Sequence, residues 1–314
     1  MASAFRADGA GAPHHAVEAE KWLNDPKFFS VVDRTVPKIV FMSARDFEFR
    51  SPVASRWAEN DRVFGKLFRA GTDWQKRPSV ILLHGWNAEL QYRWQFPFLA
   101  NRLTRAGVNA AMFQLPYHGR RRPRESGAIQ NFISYDLLHM LEATRQALAD
   151  TRALLAWLAE QGSPAVGVWG ISLGAWLAGL LISAGMAPVG GDLLGEPQFA
   201  VLLTPVANVQ QAIQELAFCK SIRSSLQSTS ALVLDRLNLS SHALGVPARN
   251  VLIVESQYDV FAPVETVENL WQAWGQPEIW RLPHGHISVL LSPMVMNRIV
   301  NWIEGISKPW LRND

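Results

Sequence analysis

The stretch from Val166 to Gly179 reads VGVWGISLGAWLAG. Its first six residues form an apolar run suited to a strand covered on both faces, and the residues from Leu173 onward read as an apolar helix. Between them stands Gly170-Ile171-Ser172-Leu173-Gly174, a serine with glycine two residues away on each side. The G-x-S-x-G pattern means little alone. Strand, tight turn and helix in immediate succession give it weight. The glycines have a physical task, because so tight a turn brings the backbone on either side of the serine too close for side chains. Ser172 is expected to raise its hydroxyl above the sheet edge, at the N-terminus of a helix over 173–185. There the helix dipole and the Leu173 N–H favour a developing oxyanion. Ala175, Ala178 and Gly179 are expected to keep one helix face thin against the sheet.

Outward from this turn the chain alternates strands and helices. SVILLHG (79–85), VNAAMFQLP (108–116), AVGVWGI (165–171), FAVLLTPV (199–206), NVLIVES (250–256) and PEIWRLPH (277–284) read as strands. Helices are expected over 95–107, 133–162, 173–185 and 263–275, and over 288–306 with a proline interruption. Two further strands, 46–53 and 62–70, precede the series. The pattern predicts an α/β fold: a mostly parallel sheet with helices on both faces, whose reactive residues collect at the carboxyl ends of the strands. Residues 1–37 read as an N-terminal extension with a short helix near Ala16 to Leu23, and 38–314 as the main domain. The stretch 207–245 breaks the alternation and reads as a small helical lid.

Composition narrows the class. With 314 residues and 48% hydrophobic content the chain can bury a large core, and 18% charged residues argue against disorder. A formal net charge of +3, mostly scattered, does not imply nucleic-acid binding. Cys219 is the single cysteine, which excludes an internal disulfide and any multi-cysteine metal site. No apolar signal-like segment opens the chain, and no apolar run reaches a membrane span. The expectation is a soluble, cytoplasmic protein without an integral membrane segment; its oligomeric state is left open.

A serine hydroxyl is a weak nucleophile and needs a base, which needs an orienting acid. ESQYDVFAP follows the strand NVLIV and offers Asp259 just past its end, with Glu255 as an alternative. RLPHGHISVL follows the last strand and offers His284 and His286. His286 is preferred because it lies in the loop before the final helix, whereas His284 belongs to the strand end. ILLHGWN supplies His84-Gly85-Trp86-Asn87 after an earlier strand, where a second oxyanion donor should stand.

Four ordered motifs therefore fall at strand ends: H-G-x (84–86), G-x-S-x-G (170–174), D-x-x-x-P (259–263) and G-H (285–286). Over roughly residues 60 to 310 the chain resembles the α/β-hydrolase superfamily, the serine esterases and lipases among them. Pro116-Tyr117-His118-Gly119 also resembles that superfamily's turn after its fourth strand. The resemblance implies Ser172 as nucleophile, His286 as general base, Asp259 as its orienting acid, and the backbone N–H groups of Leu173 and Trp86 as oxyanion donors. It implies no cofactor and no metal. The expected activity is hydrolysis of a small carboxylic ester with an apolar acyl group. A thioesterase, peptidase or acyltransferase on the same fold is the alternative, followed by a non-catalytic binding protein. His118 reads as a turn residue and His14-His15 as tail. The basic cluster GRRRPRE (119–125) reads as a solvated loop, with attraction of an anionic group by Arg120, Arg121, Arg122 or Arg124 as the sharper alternative.

Overall fold

The computed structural model describes residues 12–25, 28–29, 36–86, 89–124, 132–134, 136–184, 195–216, 219–220, 223 and 234–310. Nine strands among them form one sheet: β1 (Val40–Phe41), β2 (Asp46–Arg50), β3 (Arg62–Phe68), β4 (Ser79–Leu83), β5 (Asn109–Phe113), β6 (Val166–Ile171), β7 (Ala200–Leu203), β8 (Val251–Ser256) and β9 (Glu278–Leu282). Their spatial order is β1-β2-β3-β5-β4-β6-β7-β8-β9. The pairs from β5 to β9 are parallel, and β1, β2 and β3 run antiparallel to their neighbours. The sheet is mostly parallel, as the alternation implies. The two-residue β1 is too short to leave a pattern in the sequence.

Every residue of β4, β5, β6, β7 and β8 is buried, because helices cover both faces. Successive residues alternate between two cores. Ile81, Leu83, Val168, Leu202 and Ile253 face one side, with α1 (Ala12–Asn24), α3 (Leu137–Glu160), α4 (Leu173–Ser183) and α6 (Val264–Ala273). Val80, Leu82, Trp169, Leu203 and Val254 face the other, with α2 (Phe96–Arg105) and α7 (Pro293–Ser307). From β4 the chain passes to β5 on one side and returns to β6 on the other. The strand order therefore reverses between β4 and β6, the place where such sheets open a crevice.

Several expectations are adjusted. The last helix begins at Pro293, so proline starts it and does not interrupt it. Proline suits this first position because its missing N–H has no helical partner there, and the Ser292 side chain caps the Val295 N–H. Gly179 serves a close approach to Leu239, which a methyl there would strike, and not to the sheet. The segment read as an extension carries α1, whose Ala19 and Leu23 are fully buried in the first core. Of the stretch read as a lid, α5 (Val209–Glu215) and residues 234–245 are described; most of 217–233 lies outside the described residues. Among the described residues no helix is long and apolar enough to cross a membrane.

Candidate active site

β6 delivers Ser172 to the carboxyl edge of the sheet with φ 54° and ψ −114°, backbone space that residues with a Cβ rarely occupy. Two bonds hold it there. The Ser172 N–H donates to the Leu203 carbonyl at 2.9 Å, and the Ser172 carbonyl accepts from the Trp176 N–H at 3.0 Å. The flanking glycines are required sterically. A methyl on Gly170 would strike the Gly174 carbonyl, and one on Gly174 would strike the Leu83 carbonyl.

His286 Nε2 lies 2.9 Å from Ser172 Oγ, and His286 Nδ1 lies 2.7 Å from Asp259 Oδ2. The other Asp259 oxygen accepts from the Phe261 N–H at 2.8 Å and the Ala262 N–H at 2.9 Å. These turn amides fix the carboxylate, whose side chain is only 1% exposed. The acceptor at Nδ1 favours the tautomer that carries its proton there and leaves Nε2 facing the serine. The Phe261 ring, 4.9 Å from the imidazole, packs beside it. It is His286, and not His284, that meets both partners. Glu255 points into a separate cluster with Glu268 and Arg281. There burial, and then the Glu268 charge, push its carboxyl up to about 7.

Leu173 opens α4, so its N–H has no carbonyl within the helix to pair with. The turn after β4 lies against the serine: a Cβ on Gly85 would sit 3.3 Å from the Ile171 carbonyl and 3.5 Å from Ser172 Cβ. Two side chains hold this turn. Gln91 Oε1 accepts from the Gly85 N–H at 2.8 Å. His84 Nε2 accepts from the Leu115 N–H at 3.0 Å, which leaves its proton on Nδ1, 2.8 Å from the Gly85 carbonyl. Burial, reinforced by His118 beside it, lowers the His84 pKa to about 3, so the ring stays neutral. Asn87 lies outside the described residues.

Ser172, His286, Gly85 and Trp86 open on a cavity of about 270 Å³ whose walls include Phe132, Met140, Trp176, Ile213 and Leu290. The α5 part of the expected lid contributes Val209, Ala212 and Ile213 to it. Gln91 and Phe261 had no signal in the sequence. One lies in an irregular π-helical turn, Gln91–Gln95, and the other in a loop.

His118 belongs to its turn, with Nδ1 2.8 Å from the Pro116 carbonyl. Burial lowers its pKa to about 4. The arginine cluster is not uniformly solvated. Arg120, Arg122 and Arg124 are exposed, but Arg121 is fully buried, with Nη1 2.8 Å from Asp150 and Nε donating to the Asn60 carbonyl at 2.8 Å. The sequence concealed this because Asp150 sits 29 residues away on α3. Glu125, and the side chains of His14 and His15, lie outside the described residues.

Similarity to known proteins agrees with this architecture. Acetyl xylan esterase 1 from Thermoanaerobacterium sp. superposes with a TM-score of 0.60 at 15% identity, over 94% of this chain and 99% of that one. The Pyrococcus furiosus esterase Pf2001 superposes with a TM-score of 0.53 at 17% identity, over 88% and 93%. At these identities the likeness is one of fold. In sequence, the uncharacterized protein Rv2627c of Mycobacterium tuberculosis is 29% identical over 248 residues, 75% of this chain and 56% of the relative. The chain thus spans just over half the length of that curated relative. The family described as Alpha/beta hydrolase domain containing 18 matches residues 15–194, from α1 past the serine turn and α4, and the chain belongs to that family.

Proposed function

We propose that the chain is a serine hydrolase of carboxylic esters with an apolar acyl group. Ser172 attacks the acyl carbonyl while His286 Nε2 takes its proton. Asp259 holds the imidazole and stabilises its charged form. The tetrahedral oxyanion is met by the N–H groups of Leu173 and Trp86. His286 returns the proton to the leaving alcohol, and a water activated by the same imidazole then releases the acyl group. What carries the reading is the hydrogen-bonded series Ser172–His286–Asp259, with links of 2.9 and 2.7 Å, at the mouth of an apolar cavity. The role of Trp86 is supported by its peptide plane. Among the described residues no peptide is cis, and the Gly85 carbonyl is held by His84, so the Trp86 N–H points away from His84.

Steady-state hydrolysis of esters sharing one alcohol, with short, medium and long acyl chains, tests this reading. Each methylene buried in the cavity should add ~0.8 kcal/mol, about fourfold in kcat/KM, until the cavity is filled. The Ser172→Ala variant should lose at least about 10⁴-fold in kcat. Unchanged ester hydrolysis in that variant would refute the assignment. A thioester or anilide turned over faster than its matched ester would move the activity to the thioesterase or peptidase class.

A further inference from the structure

The exposed large hydrophobic side chains are not scattered. Leu90, Trp94 and Phe98 follow one another at four-residue intervals up the turn that leads into α2, and Leu90 and Trp94 are 75% and 73% exposed. Leu291 and Met294, 75% and 77% exposed, project where the chain enters α7. These two ridges are neighbours, since Gln95 Nε2 donates to the Leu290 carbonyl at 2.7 Å and α2 and α7 share one core. Tyr258 is also exposed, on the loop after β8, where its N–H donates to the His284 carbonyl at 2.9 Å. Apolar groups this prominent and this contiguous mark an interaction surface. The patch also borders the mouth of the catalytic cavity, because Trp86, Ile287 and Leu290 line it.

Arginines flank the patch and favour an anionic surface, although Glu89 on the first ridge pairs with Arg93 at 3.5 Å. Arg102 follows Phe98 by four residues with its guanidinium 4.8 Å from that ring, and Arg298 follows Met294 by four residues, stacked 3.8 Å from the Trp280 ring. Each ridge therefore carries a cation one helical turn, about 6 Å, beyond its last apolar residue, Phe98 or Met294. Cations beside an apolar edge suit a surface into which apolar faces sink ~5–10 Å, at the boundary between headgroups and acyl chains. The tips also come from separate segments of the chain. A folded partner seated on them would close the cavity mouth, whereas fluid lipid would leave it supplied.

We propose that this face docks on a phospholipid bilayer, the tips entering the acyl layer and Arg102 and Arg298 lying at the level of the phosphates. Docking goes beyond the hydrolase reading and does not depend on whether Ser172 reacts. It is therefore tested in Ser172→Ala protein, full chain, by sedimentation with vesicles of mixed phosphatidylcholine and phosphatidylglycerol. The protein should pellet with the vesicles, and should still do so, less strongly, at high salt. A variant combining Leu90→Glu, Trp94→Glu, Leu291→Glu and Met294→Glu should partition at least about tenfold less, with an unchanged circular-dichroism spectrum and melting temperature. If the combined variant melts early, Trp94→Glu and Leu291→Glu separately replace it, each expected to weaken partition. Protein that stays in the supernatant overturns the proposal, as do variants that pellet like the parent. Binding abolished entirely by salt would overturn it in favour of the basic residues alone. A concentration-dependent dimer that the variants dissolve, without vesicle binding, would assign the patch to a second copy.

Discussion

At the scale of single residues, the site depends on where protons sit. An Asp259→Asn side chain can still accept the Phe261 and Ala262 amides through its oxygen, but it turns a donor toward His286 Nδ1 and favours the wrong tautomer. We expect kcat to fall by about 10⁴-fold while the melting temperature moves little. Equal activity would remove Asp259 from the reaction. His84 and His118, with rings 4.8 Å apart, make a different prediction. Their native pKa values, about 3 and about 4, lie below the ordinary histidine value because burial disfavours the charged rings. As pH falls below about 6.5 the unfolded chain therefore binds protons that the native state refuses, and stability is lost. At pH 4 this amounts to about 3 kcal/mol for His118 alone. Glu255, with its carboxyl raised to about 7, acts in the opposite sense, so a variant comparison isolates the histidine contribution. Urea unfolding from pH 7 to pH 4 should show a smaller loss in His118→Asn than in the parent; parallel curves would contradict the buried neutral imidazole.

At the scale of elements, the serine turn was readable because its constraints are local. Strand, glycine, serine, glycine and helix occupy one short stretch, and both glycines meet backbone that cannot retreat. Gly174→Ala should therefore disrupt the turn, lowering stability by ~1–3 kcal/mol and taking most of the activity with it. Thermal melting and ester hydrolysis check this, and a fully active, equally stable variant would contradict the close packing. Features created by distant partners were not readable. Gln91 was hidden because its contact with the Gly85 N–H requires an irregular π-helical turn. Pro293 reads as an interruption because apolar residues on both sides of it continue the helical pattern, although Ser292 ahead of it is a cap. Gly179 looked like a sheet contact because Leu239, which it accommodates, lies 60 residues further on.

At the scale of the molecule, the sheet was readable because strands buried on both faces leave long apolar runs. Its antiparallel edge was less so, since pairing direction leaves little local trace. The order of the motifs along the chain found the strand ends that meet, but not the cavity, whose walls come from α3, α4, α5 and several loops. The Arg121–Asp150 ion pair also belongs to this scale, tying the loop after β5 to the middle of α3 through two fully buried side chains. Removing one partner strands the other charge, so Asp150→Ala should cost about 3–5 kcal/mol in chemical denaturation. Arg121→Met/Asp150→Leu should regain much of that loss, short of full recovery because the Asn60 and Gln114 carbonyls lose their donor. A cost below the usual surface range of about 1 kcal/mol for Asp150→Ala would contradict the buried pair.

In the proposed reaction, fold, turn and hydrogen-bonded side chains converge on one activated serine. Intact-mass and peptide analysis after treatment with a fluorophosphonate probe is the decisive measurement. We expect a single covalent adduct on the peptide containing Ser172, strongly slowed in His286→Ala and absent in Ser172→Ala. An unmodified protein, or an adduct that persists in Ser172→Ala, would contradict the proposed reaction.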